Sequence, residues 1–144
     1  MVDGMVKTGQ GIWAGPVGDV MRFLCFHPHT SILLKNGQYK RMCAIKIGDI
    51  LENGSKVIGT LELQGSKENP YYQIYSEVLE KNILITGSHL VQNPTTGRFI
   101  PVSELQEAVP GRYYTKSMSC LITDDHRIPV GEYVLWDWED EQLI

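Results

Sequence analysis

Cys25 opens the stretch Leu24-Cys25-Phe26-His27-Pro28-His29-Thr30, and two histidines lie far downstream in similar local settings. They are Ile85-Thr86-Gly87-Ser88-His89-Leu90 and Ile122-Thr123-Asp124-Asp125-His126-Arg127. A thiol with imidazoles and hydroxyls has the parts for attack on a backbone carbonyl, and the carbonyl immediately ahead of Cys25 is that of Leu24. Attack there shifts the acyl group from nitrogen to sulfur and converts the Leu24-Cys25 amide into a thioester, a better acyl donor. The shift needs a thiol that can lose its proton, stabilisation of the developing oxyanion, and a proton for the departing nitrogen. Histidine suits the last task because its ordinary pKa of about 6.5 lets it exchange protons near neutrality.

The elements that must position these groups read as short strands. Residues 1–24 carry Gly4, Gly9, Gly11, Gly15, Pro16 and Gly18, a density of breakers that discourages long regular structure and suggests a leader feeding into a domain of residues 25–144. From Thr30 the pattern is β-rich: Ser31-Ile32-Leu33-Leu34, an Asn36-Gly37 hairpin signal, and a return strand over Tyr39 to Ile45. A second turn falls at Asn53-Gly54. Strands are predicted over Lys56 to Leu63, Tyr71 to Tyr75, Asn82 to Thr86 and Arg98 to Val102. Only Ser103 to Ala108 reads as helical, with Ser103 as an N-cap. Many short strands with one short helix at most predict an all-β domain.

Composition narrows the function classes. A chain of 144 residues is enough for one core. Its 42% apolar and 21% charged content is that of a globular protein. The net charge of -4 and the scattered basic residues leave no footprint for nucleic acid. Cys25, Cys43 and Cys120 are too few and too widely spaced for a disulfide scaffold, which favours a reducing, cytoplasmic setting. Apolar runs fall short of the roughly 18 residues needed to span a bilayer, and the start lacks the pattern of a signal peptide. A monomer is expected. The Thr-x-x-His spacing recurs 37 residues apart, each copy after a β-rich run, which raises the question of an internal duplication.

These blocks together resemble the Hint domain, the module shared by inteins and hedgehog autoprocessing domains. Cys25 to Thr30 is similar to the family's opening block, and Ile45-Lys46-Ile47-Gly48-Asp49-Ile50-Leu51 resembles the Gly-Asp turn after its first hairpin. Thr86 to Leu90 resembles the Thr-x-x-His block, and Leu121 to Gly131 the late block. The resemblance covers nearly all of residues 25–137 and implies a compact, horseshoe-like all-β fold with pseudo-twofold symmetry. It also implies roles: Cys25 as nucleophile, Thr86 hydrogen-bonding near the scissile group, His89 supplying or orienting the proton for the leaving nitrogen, and His126 assisting breakdown of the intermediate or a later step.

Departures from the family pattern bound the outcome. Inteins that splice end in His-Asn, and Trp136-Asp137 stands in that place here, followed by Trp138. Asp137 has no side-chain amide, and a carboxyl with an ordinary pKa of about 4 cyclises only when protonated. Splicing is therefore not expected. The seven residues after Asp137 offer no sterol-binding module, so a sterol acceptor is not expected either. Water or a small thiol or amine remains as acceptor, and the chain's own upstream segment as substrate. Leu24 replaces the glycine common before the family's cysteine. The hedgehog branch uses an acid to activate its cysteine, and Glu62 and Glu77 are both candidates.

Each residue also has a plainer reading. Cys25 is a candidate for simple core packing, and core packing is the reading for Cys43 and Cys120. Asp124 and Asp125 suit an Asx-turn, although an acid such as Asp125 beside His126 would also raise its basicity. Three functions result: a self-cleaving domain releasing residues 1–24 through a Cys25 thioester, a catalytically impaired Hint-fold relic serving structure or interaction, and a metal site drawn from Cys25, His27, His29 and His89. No cofactor is required, and zinc captured adventitiously by Cys25 would inhibit cleavage.

Overall fold

The computed structural model describes Val6–Thr8, Trp13–Ala14 and residues 25–138. Thirteen strands run through it: β1 (Val6–Thr8), β2 (Trp13–Ala14), β3 (Ser31–Leu33), β4 (Tyr39–Arg41), β5 (Val57–Gln64), β6 (Tyr71–Ser76), β7 (Lys81–Thr86), β8 (Leu90–Gln92), β9 (Phe99–Pro101), β10 (Val109–Pro110), β11 (Ser117–Thr123), β12 (Arg127–Val130) and β13 (Tyr133–Trp136). They form sheets ordered β11-β5-β1-β2, β10-β6-β7, β12-β13-β8-β9 and β3-β4. Most pairings join neighbours in sequence. The exceptions are β1 with β5, β10 with β6, β11 with β5 and β13 with β8, which tie distant parts of the chain together.

The turn chemistry acts where the sequence placed it. Gly37 and Gly54, both left-handed at φ of 91° and 93°, close turns through N–H bonds to the carbonyls of Leu34 and Leu51. Strand β5 alternates buried Val57, Leu61 and Leu63 with outward residues, the period of a strand with one face on the core. Among the described residues helix is almost absent. The predicted helix at Ser103 to Ala108 is instead a 3-10 turn, Val102–Glu104, whose N-cap is Pro101 with no side-chain bond; Val102 and Leu105 are drawn inward by the core. A matching turn, Met42–Ala44, ends the return strand early, so β4 stops at Arg41.

These two turns reveal a duplication. Cys43 N–H donates to the Pro28 carbonyl at 2.9 Å and Met42 N–H to that of Thr30 at 2.8 Å; Ser103 N–H donates to Gly87 at 2.9 Å and Val102 N–H to His89 at 2.7 Å. Equivalent bonds thus recur 59 or 60 residues apart. Counterpart segments also face each other: Phe26 bridges Ile85, and at the centre of β5 and β11, Thr60 and Leu61 lie opposite Leu121 and Cys120, so that residues 60 and 61 meet residues 120 and 121 in reverse order. Antiparallel pairing of a segment with its own counterpart marks a pseudo-twofold axis. The 37-residue echo is not its period. Thr86 to His89 and Thr123 to His126 do share one turn, closed at 3.2 and 3.3 Å, but the twofold counterpart of the first is His27 to Thr30, closed at 3.0 Å.

Phe26, Ile85, Leu121, Ile32, Ile74 and Leu135 are fully buried in one hydrophobic core. Burying one such side chain contributes about 1.5–3 kcal/mol, so the strand carrying Phe26 is firmly anchored. Cys25 is its inner neighbour.

Candidate functional site

Residues Cys25 to His27 run as a central strand between β7 and β11. Phe26 exchanges both backbone bonds with Ser119, at 2.8 and 2.9 Å; on the other side His27 N–H donates to Leu84 and Thr86 N–H to the Cys25 carbonyl, each at 3.0 Å. Pairing on both edges buries Cys25 completely. It also fixes Thr86 beside it. The Cys25 N–H, which belongs to the Leu24-Cys25 amide, donates to Thr86 Oγ1 at 3.1 Å, and that hydroxyl lies 3.3 Å from the Cys25 carbonyl oxygen. Leu24 itself lies outside the described residues.

His89 is reached by the turn that follows β7. Its ring is fully buried, edge-on to Phe26 with centroids 4.7 Å apart. Nε2 lies 2.5 Å from the Trp136 carbonyl oxygen. A carbonyl only accepts, so Nε2 carries the proton, and the neutral ring is the tautomer with a basic Nδ1. His89 therefore joins the Cys25 strand to the carbonyl of the Trp136-Asp137 bond.

His126 occupies a left-handed backbone position, φ 62°, at the tip between β11 and β12. For a residue with a Cβ this conformation is uncommon and is tolerated where surrounding contacts over-determine it. Those contacts are plain: the ring stacks on Trp136 at 5.2 Å and 14°, and Nδ1 faces Asp137 Oδ2 at 3.1 Å and Oδ1 at 3.3 Å. Asp137 is fully buried and also accepts the Thr123 N–H at 3.0 Å. Arg127 caps the cluster, its guanidinium 4.8 Å from both the Phe99 and Trp136 rings.

The acid beside His126 is thus Asp137 and not Asp125. The Asp125 carboxylate is held at 2.7 Å by Ser55 Oγ, 3.1 Å by Arg127 N–H and 3.2 Å by Thr123 Oγ1, an Asx-turn that shapes the tip. Asp124 likewise accepts the Lys56 N–H at 3.0 Å. A signal for Asp137 was present in the sequence. The hairpin β12–β13 pairs Arg127 with Trp136, so the next pair outward is His126 with Asp137.

Of the three cysteines, Cys120 is buried as predicted, while Cys43 is exposed. The correction follows from the early end of β4: in the 3-10 turn Met42 takes the inward position and Cys43 is turned out. Burial pushes the Cys120 thiol well above its ordinary pKa, and the Cys25 side chain next to it and the Asp137 charge add to the shift. Glu62 lines a cavity of about 380 Å³ together with Cys43, Ser119 and Cys120, whereas Glu77 sits at an exposed turn whose N–H bonds Glu132. Cys25, His27, His29 and His89 do not converge: among the described residues no group of three or more His, Cys, Asp or Glu side chains is arranged to hold a metal ion.

No family model matches the sequence, and no curated protein matches it. Among solved structures the chain is similar to the crystal structure of the gp41-1 intein, with a TM-score of 0.57 and 17% identity, covering 78% of this chain and 98% of that one. The chain has an intein-like Hint fold. A substituted form of the same intein gives a TM-score of 0.55, with 17% identity and the same coverage. An identity of 17% speaks for the Hint backbone alone, so the chemistry rests on this chain's own side chains.

Proposed function

We propose that this Hint domain processes itself, using Cys25 to cut the bond that joins it to its upstream segment. The observation that carries the reading is the Thr86 hydroxyl on the Cys25 nitrogen, since that nitrogen must leave. Cys25 Sγ, once deprotonated, attacks the Leu24 carbonyl carbon, and the carbonyl oxygen takes the negative charge. Collapse of this intermediate breaks the C–N bond, and the nitrogen takes the proton that the thiol gave up, leaving a thioester on Cys25 and an amine at its nitrogen. As the nitrogen loses amide character it gains a lone pair, and the Thr86 hydroxyl, an acceptor at 3.1 Å beforehand, can turn to donate. With its Nε2 proton on the Trp136 carbonyl, His89 can take up the thiol proton at Nδ1 and deliver it to the departing nitrogen, alternating between neutral ring and imidazolium. Water or a small thiol or amine then takes the acyl group, freeing the segment that ends in Leu24.

The other end of the site supports cleavage without splicing. Asp137 offers a carboxylate in place of an amide, and its oxygens are occupied by His126 and the Thr123 N–H. The following nitrogen, Trp138 N–H, is bonded to the Leu121 carbonyl at 3.0 Å. Nothing there favours attack of the side chain on its own backbone.

Incubation of the full chain with hydroxylamine, followed by intact-mass measurement, tests the reading. The expected result is loss of residues 1–24 as a hydroxamate, absent in Cys25→Ala. An unchanged mass in the parent chain would overturn the reading and leave a structural relic of the fold.

A further inference from the structure

A second thiol faces the nucleophile. Phe26 and Ser119 exchange both of their backbone bonds, which makes them a hydrogen-bonded antiparallel pair. The next pair in that register is Cys25 with Cys120, of the non-hydrogen-bonded kind; accordingly the Cys25 N–H and carbonyl are bonded to Thr86 on the opposite edge. In such a pair the Cα atoms lie about 4.5 Å apart and both side chains leave on one face. A disulfide accepts a Cα separation of roughly 4.4–6.8 Å. The pair therefore meets that requirement without a change of register. The Cys25 side chain adds to the raised pKa of the Cys120 thiol, consistent with this contact.

We propose that Cys25 and Cys120 close to a reversible intrachain disulfide that withdraws the nucleophile. The regulatory half of this statement rests on the self-processing reading; the disulfide itself rests on the register. A low-molecular-weight disulfide such as oxidised glutathione is the oxidant. The Cys120 thiolate, on the wall of the cavity of about 380 Å³, attacks it, forming a mixed disulfide and expelling one small thiol. The other cysteine then displaces the second small thiol and forms the Cys25–Cys120 bond. Two cysteine protons and two electrons are lost, and the oxidant leaves as two thiols. The cavity of about 380 Å³ whose wall includes Cys120 gives a small oxidant its approach.

Exposed Cys43 shares that wall, so the test uses the full chain carrying Cys43→Ser. The protein is equilibrated with graded ratios of oxidised to reduced glutathione, acid-quenched, alkylated and mapped. Expected is a mass lower by about 2 Da, two hydrogens, and a cross-linked peptide pair containing Cys25 and Cys120. Hydroxylamine release should vanish in step with the cross-link and return with dithiothreitol, while Cys120→Ala should release its segment regardless of oxidant. Two alkylated thiols after exposure to excess oxidised glutathione would overturn the proposal. So would full release from the cross-linked form. Absence of release in the fully reduced arm would count against self-processing alone, because mass and peptide map still decide whether the disulfide exists.

Discussion

The two halves related by the pseudo-twofold axis share a backbone and divide the chemistry. Cys25 corresponds to Leu84, His27 to Thr86, and Thr30 to His89, through the paired bonds His27 N–H to Leu84 and Thr86 N–H to Cys25. In the first half the thiol is buried on the axis, and the histidines His27 and His29 lie toward solvent. In the second half the hydroxyl and the imidazole are buried, Thr86 at 1% and His89 at 0% exposure. In the proposed reaction the one thiol is thereby served by groups that the opposite half supplies. The difference teaches that a duplicated scaffold becomes asymmetric by side chains at matched positions, without altering the ladder between them.

Exchange at the matched positions breaks or sharpens this comparison. The largest effect belongs to His89. If it carries the proton for the leaving nitrogen, His89→Gln should slow hydroxylamine-triggered release by roughly 100- to 10,000-fold, the usual contribution of a positioned acid–base group. Its counterpart Thr30, whose hydroxyl bonds the His27 carbonyl at 2.7 Å, serves the turn. Thr30→Val should lower the unfolding midpoint in urea with little change in release rate. Equal loss of rate in both would mean that the imidazole acts only through folding.

Thr86 comes next. Losing one hydrogen bond worth about 1–3 kcal/mol corresponds to roughly 5- to 150-fold in rate. Thr86→Val should show that loss in single-turnover release. His27→Ala, at the equivalent place in the other half, should stay near the parent rate, because its side chain packs on Tyr71 and Tyr113 and not on the Cys25 nitrogen. A smaller effect is expected at the far end of the site. Asp137→Asn supplies an amide and keeps an acceptor for the Thr123 N–H, so a minor, slowly forming species lacking residues 138–144 should appear by intact mass. If none appears, the bond from Trp138 N–H to Leu121 governs that end, and the missing amide does not.

How much of this was legible depends on the range of the interaction. Asn36-Gly37, Asn53-Gly54 and the alternation of β5 are local signals, and they set turns and strands as read. The partnership of Thr86 with Cys25 spans 61 residues and was legible only through the resemblance. Where tertiary context overrides a local preference, the reading failed. Ser103 to Ala108 has helical residues, but Val102 and Leu105 are both needed in the core, and a 3-10 turn satisfies that. Cys43 is exposed and not packed because the strand ends at Arg41, four residues before the expected end at Ile45. The pseudo-twofold symmetry was expected from the resemblance, but its period of 59 or 60 residues was not legible, because matched positions carry unlike residues and a period expressed in hydrogen bonds leaves no trace in residue type.

The smallest expected effect separates His27 from Thr86 by pH. Burial, and then the charge of His29, lower the His27 pKa, and the geometry agrees: His27 Nδ1 accepts the His29 N–H at 2.9 Å, a bond that only the unprotonated nitrogen can make. In the unfolded chain the same ring takes up its proton at about pH 6.5. Below that value the unfolded state binds more protons than the folded state, so stability falls as pH falls through about 6.5 toward the lowered folded value. Unfolding midpoints measured between about pH 5 and pH 7.5 should decline on the acid side, and His27→Gln should flatten part of that decline. Thr86→Val, at the equivalent position with nothing to titrate, should leave the slope unchanged. A slope equally flattened by Thr86→Val would show that the acid sensitivity belongs to the shared backbone pairing and not to the side chain that distinguishes the two halves.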